Sequence, residues 1–125
     1  MGYPSISALL MMLAVILGAF GAHGLKSHLD AYSMGIWEKA VFYHFIHAMG
    51  MLIVCVMGKV EMLAATTAAR VNQLLIVGIL LFSGSLYLLA VSGVRTLGAI
   101  TPLGGVSFIA AWLYLAIRLA RSEGK

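Results

Sequence analysis

Leu74-Leu75-Ile76-Val77-Gly78-Ile79-Leu80-Leu81-Phe82 lies inside a run of 24 residues, Val71–Val94, that holds no Lys, Arg, Asp or Glu. A bilayer core about 30 Å thick takes about 20 apolar helical residues, so this run spans one. A membrane β-strand alternates apolar and polar side chains, and this stretch does not. Three more uncharged runs flank it: Met1–Leu25 (25 residues), Ala40–Gly58 (19) and Thr96–Ile117 (22). In lipid each backbone N–H and C=O needs a partner within the protein, which helices supply locally. The expected fold is an all-α integral membrane protein, a compact bundle of four transmembrane helices with antiparallel neighbours.

Composition agrees. Hydrophobic residues make up 62% and charged residues 10%, against about 25% charged in a soluble domain, and the mean hydropathy is +1.05. Four spans in 125 residues leave no length for a soluble domain, so one membrane domain is expected over residues 1–125. The net charge of +4 is scattered between the runs and forms no basic stripe, which argues against nucleic acid and for anionic lipid headgroups as the counter-charge. Cys55 is the single cysteine and reads as a small packing residue. The first run lacks a basic residue before its apolar stretch and is too long for a signal-peptide core, so it is expected to be retained as a span.

The spans are expected at about 5–25, 39–58, 72–92 and 97–120. Trp37 and Tyr32 suit the headgroup level, which predicts an interfacial loop or short surface helix between the first two spans. Counting Lys and Arg gives five on the side of the termini and second loop (Lys59, Arg70, Arg118, Arg121, Lys125) and three opposite (Lys26, Lys39, Arg95). The positive-inside rule then places both termini in the cytoplasm of a bacterium, in its inner membrane, or in the matrix if the membrane is mitochondrial. Pro102 falls inside the fourth run. Thr101 as N-cap with Pro102 next starts a helix well, but 16 residues to Ile117 reach only about 24 Å. The fourth helix is therefore expected to be broken or kinked near Pro102.

Association in lipid depends on close approach at small residues. Ala14, Gly18 and Ala22 with Gly21 beside them, Gly78, Ser85 and Ser92 with Gly84 adjoining, and Gly104, Ser107 and Ala111 are the expected packing stripes. Gly104-Gly105, just after the proline, is the place where backbone is best available to a ligand.

The candidate chemistry lies in the histidines. His44 and His47, spaced i, i+3, share a helix face, with Tyr43 and Glu38 close by. If the first two helices run antiparallel, His23 comes to a similar depth. A polar cluster of His23, Glu38, Tyr43, His44 and His47 is expected near one membrane face, with Ser83, Ser85 and Thr101 as further buried polar groups. His23, His44 and His47 suit a metal, a haem or a proton relay, and better suit plain hydrogen bonding within the bundle. Met49, Met51 and Met57 point in different directions and read as packing. The third helix offers Ser83 and Ser85 neither a base nor an orienting acid, so no enzyme activity is expected and no cofactor is singled out.

Four stretches carry a resemblance: Gly18-Ala-Phe-Gly-Ala-His-Gly-Leu25, Trp37-x-x-Ala40-x-x-Tyr43-His44-x-x-His47-Ala48, Phe82-Ser-Gly-Ser-Leu-Tyr87 and Ile100-Thr-Pro-Leu-Gly-Gly105. In that order the chain resembles the YgdD-like small membrane proteins, domain of unknown function 423. The resemblance implies a four-span resident of bacterial inner membranes, with mitochondrial relatives and no assigned activity. The function expected is a homo-oligomer or accessory subunit of a membrane complex in contact with lipid. A histidine-based metal or haem protein and a small transporter or channel are the alternatives.

Overall fold

Four helices of membrane length make up nearly all of residues 1–123, the part of the chain that the computed structural model describes. Lys125, counted above for orientation, lies outside the described residues. Helix α1 (Tyr3–Phe20) begins on Pro4, whose fixed φ suits a first turn, and continues through a wide π turn, Gly21–Leu25. Helix α2 (Ala31–Lys59) is capped by Asp30, whose carboxylate accepts the Ser33 N–H at 2.7 Å. Helices α3 (Ala65–Gly78) and α4 (Gly84–Ser92) form one span through a second π turn, Ile79–Ser83. Gly93 closes α4 at φ 71°, a left-handed cap that glycine adopts without strain. A short 3-10 turn, Arg95–Ala99, leads into α5 (Thr101–Glu123). The spans run to 23, 29, 28 and 28 residues, about 35–44 Å at 1.5 Å per residue, so their ends reach the headgroups.

Hydrogen bonds between helices fix the register. Ser7 Oγ donates to the Ala48 carbonyl at 2.7 Å, and the Trp37 indole N–H donates to the Leu17 carbonyl at 3.0 Å. The start of α1 thus lies beside the end of α2, and the reverse, which makes the pair antiparallel. Ser83 Oγ donates to Ala40 O at 2.8 Å and Ser107 Oγ donates to Leu74 O at 2.7 Å, setting α2 against the third span and that span against α5 in the same way. The N-terminus, the 60–64 connection and the end of α5 therefore share one end of the bundle. Each serine adds a donor to a carbonyl already used by its own helix, a common device where no water competes.

The closest approach falls at the second π turn. A Cβ on Gly104 would stand 2.2 Å from the Phe82 amide nitrogen, so backbone meets backbone there and only glycine fits. A Cβ on Gly78 would stand 2.3 Å from the Phe108 ring, and on Gly50 it would stand 2.9 Å from Trp112. These glycines are slots into which α5 inserts its aromatic side chains. The fully buried core around them includes Met51, Val54, Val71, Leu75 and Ala111.

Several expectations change. Helix α2 starts at Ala31, eight residues before the expected Lys39: Asp30 caps the chain ahead of the charged pair Glu38-Lys39, so Tyr32 and Trp37 are helical rather than part of an interfacial loop. Trp37 is 5% exposed and sits inside the bundle. The small-residue stripe of α1 also shifts. Ala14 and Gly21 are buried while Ala22 is exposed, because the π turn changes which residues face α2. Ser92 is exposed, whereas Gly104, Ser107 and Ala111 are buried as expected. The fourth span breaks at the 3-10 to α junction. Thr101 is already helical there, and its hydroxyl bonds to Ser85 at 2.6 Å instead of capping. Gly104 gives its free face to the Phe82 backbone and not to a ligand, with Gly105 next to the Phe82 ring.

Candidate functional site

The buried residues of α2 follow one face: Trp37, Ala40, His44, His47, Ala48, Gly50, Met51 and Val54. This is the seam of a helix that faces neighbours along its whole length, and both histidines belong to it. His44 is 2% exposed. Its Nδ1 lies 2.9 Å from the Tyr87 hydroxyl on α4, which donates to it in the tautomer protonated on Nε2. The Tyr87 ring packs edge-on to Trp37, with centroids 4.7 Å apart. One half of the site is thus a Trp37–Tyr87–His44 chain. His44 Nε2 is buried without a hydrogen-bond partner.

His47 forms the other half. Its Nδ1–H donates to the Tyr43 carbonyl one turn back at 2.7 Å. Its ring stacks on Phe108 of α5, with centroids 3.6 Å apart and planes 12° from parallel. Tyr43 packs on Phe82 at 4.4 Å, and Trp112 closes the far side of His47 at 5.8 Å. The ring is an aromatic layer in the seam between α2 and α5, with its one N–H satisfied within its own helix.

The remaining expected members separate. His23 lies exposed in the first π turn. Its neighbours Gly21 and Ala22 pack at the level of Trp37 and Glu38, while His44 and His47 lie further along α2 inside the bundle. Glu38 is exposed and lines a groove between α1 and α2. Ser83 reaches the Ala40 carbonyl, and Ser85 joins Thr101. Among the described residues no three His, Cys, Asp or Glu side chains converge as a metal site would require. The three histidines expected as metal ligands are not brought together, and His44 and His47 reach toward different helices.

Other polar groups have roles that the sequence did not assign to them. Tyr87, Ser7, Ser107 and Trp37 each make an interhelical hydrogen bond. Asn72 is 1% exposed and donates to Cys55 Sγ at 3.3 Å, leaving its Oδ1 buried without a partner. The spacing of Trp37 and His44, seven residues apart on one face, is the signal that could have placed Trp37 in the seam. Nothing local to α4 marks Tyr87 as the partner of a histidine 43 positions away.

Fold and seam together define a class, the all-helical, four-span membrane protein whose interior is closed by serine-to-carbonyl bonds and an aromatic–histidine layer. The model of the protein family of unknown function DUF423 matches residues 17–105, and the chain belongs to that family. A UPF0382 membrane protein of Staphylococcus haemolyticus, SH2409, is 48% identical over 122 residues, covering 95% of each chain. The UPF0382 membrane protein YwdK of Bacillus subtilis is 43% identical over 113 residues, covering 90% of each. No solved structure matches.

Proposed function

We propose that this chain is a non-enzymatic subunit that acts by association within the membrane, as a homo-oligomer or as an accessory subunit of a larger complex. The observation that carries the proposal is the position of α1. It packs almost wholly on α2 and buries only Ser7 and Ala14, leaving Leu9, Met12 and Ile16 exposed. Beside it runs an open groove of about 340 Å³, with Gly18, Gly21 and Ala22 on one wall and Val41, Phe42 and Phe45 on the other. Lipid solvates apolar side chains as well as protein does, so small residues that admit another helix closely are what favour assembly in a bilayer. Most interior hydroxyls are meanwhile engaged in the packing of the bundle itself.

The membrane proposed is the bacterial inner membrane, with both termini cytoplasmic. Lys59, Arg70, Arg118 and Arg121 gather at the end of the bundle that holds the termini, as the positive-inside rule favours. The test is native mass spectrometry of protein purified without a tag in mild detergent. A fixed-stoichiometry oligomer or a co-purifying membrane protein is expected, and a lone monomer under all gentle conditions contradicts the proposal. The visible spectrum and elemental content of the same sample are compared with those of His44→Ala/His47→Ala. A stoichiometric haem or metal lost in that variant overturns the non-cofactor reading.

A further inference from the structure

The seam between α3 and α5 carries two adjoining depressions at the end of the bundle that holds the termini. The outer one, about 270 Å³, is lined by Glu61, Ala64, Thr67, Arg118, Arg121 and Ser122. The inner one, about 350 Å³, is lined by Arg70, Gln73, Leu74, Val77 and Tyr114. Helical spacing puts them on one line. Tyr114, Arg118 and Arg121 follow at i, i+4 and i+7 along α5, and Thr67, Arg70, Leu74 and Val77 follow at steps of three and four along α3. Arg70 Nη1 donates to the Tyr114 hydroxyl at 3.4 Å, both residues lining the inner depression. The outer is polar and basic. The inner is floored by aliphatic and aromatic surface that opens toward the acyl chains.

We infer that this slot binds a single glycerophospholipid, with its phosphodiester held between Arg118 and Arg121 and an acyl chain lying along Leu74, Val77 and Tyr114. The guanidinium fork matches phosphate oxygens two at a time, and two arginines one turn apart present two such forks to one group. The start of α3 adds donors. Ala64 occupies the N-cap position, where it has no side chain to cap with, and the first bond of the helix is Ala68 N–H to Ala64 O at 3.0 Å. The amides that precede it are thus unpaired within the helix, and a helix N-terminus favours an anion. Ser122 contributes a hydroxyl. Glu61 on the same rim reduces the charge of the lining from two positives to a net of one, which matches the single charge of a phosphodiester better than the higher charge of a phosphomonoester. The apolar groove below the arginines is what selects a lipid over a soluble phosphate compound.

The inference stands independently of the subunit proposal, because it is read on the monomer as well as on any assembly. The full chain is presented with phosphatidylglycerol, with diacylglycerol lacking the phosphate, and with millimolar inorganic phosphate as competitor, and retained lipid is read by native mass spectrometry. Wild type is expected to keep one phosphatidylglycerol at collision energies that strip the rest, to keep no diacylglycerol, and to be unaffected by inorganic phosphate. Arg118→Gln/Arg121→Gln and, separately, Val77→Trp in the inner groove are each expected to lower the retained adduct more than tenfold at unchanged helix content, and Arg118→Lys/Arg121→Lys to restore part of it. An adduct unchanged in both variants overturns the site. Loss in the arginine variant alone, with displacement by inorganic phosphate, assigns the pocket to a soluble anion and overturns the lipid.

Discussion

Helix α1 and helix α2 are both long, apolar and uncharged at their centres, yet α1 buries two of its residues and α2 buries eight. Apolar content, which marks both as spans, does not separate them. The difference lies in what each carries besides apolar bulk. Helix α2 has a seam of Trp37, His44 and His47 interleaved with Ala40, Ala48 and Gly50, so side chains from α4 and α5 have both slots and partners there. Helix α1 offers one serine, one indole-accepting carbonyl and a small-residue edge that its own bundle fills only partly. In a bilayer, small and polar residues decide which face is covered, and a span poor in filled contacts is the one left for a neighbour.

The sharpest way to break this comparison is at the contact where backbone touches backbone. Gly104→Leu drives a side chain into the Phe82 main chain and is expected to abolish folded protein, at a cost above the about 1–3 kcal/mol usual for overpacking. Ala22→Leu, on the open groove, is expected to leave the monomer folded and to weaken its assembly. Fluorescence-detected size exclusion reads both.

A smaller effect is expected in the α2 seam. His44→Ala leaves the half-buried Tyr87 hydroxyl without its partner and is expected to cost about 1–3 kcal/mol. Tyr87→Phe removes one interhelical hydrogen bond and is expected to cost about 0.6 kcal/mol, the average for such bonds in membranes. If the two act through each other, the double variant costs less than the sum in denaturation from mixed micelles. Ser7→Ala, which frees the α1–α2 contact, is expected to cost a similar about 0.6 kcal/mol. It should raise hydrogen exchange in α1 before it does so in α2, and equal rises would remove the distinction between them.

The smallest effect is one of pH, at the start of α2. Hydrogen bonds from Ser33 hold the Asp30 carboxyl below its ordinary value of 3.8. A lowered folded-state pKa stabilises the cap above the ordinary value and loses that contribution as pH falls through the lowered one. The first turn of α2 is therefore expected to fray only in acid below the usual carboxylate range, and Asp30→Ala to fray it already at neutral pH. Exchange of the Ser33 amide checks this.

Much of the fold was legible because lipid leaves so few options: four uncharged runs gave four helices, and Thr101-Pro102 marked the break before α5. The start of α2 was not legible. Glu38 and Lys39 looked like a boundary, while the real signal was the small cap at Asp30 with Ser33. The π turns at Gly21–Leu25 and Ile79–Ser83 escaped because they arise from tertiary packing against Trp37 and Gly104, which no local pattern encodes. Of the candidate site, His44 and His47 both lie in the buried seam of α2, and Ser85 bonds to Thr101. Their partners Tyr87, Phe108 and Trp112 lie on other helices and became visible only once the helices were side by side.

The central claim, that α1 is the face by which this protein meets a neighbour, is tested most directly by cross-linking in native membranes. In a Cys55→Ser background, a single cysteine at Ile16 on the outward side of α1 is compared with one at Ile109 on the outward side of α5, where the residue is 68% exposed. The account predicts a discrete cross-linked species, to a second copy or to another membrane protein, from position 16 and none from position 109. Equal cross-linking from both, or none from position 16, would contradict it.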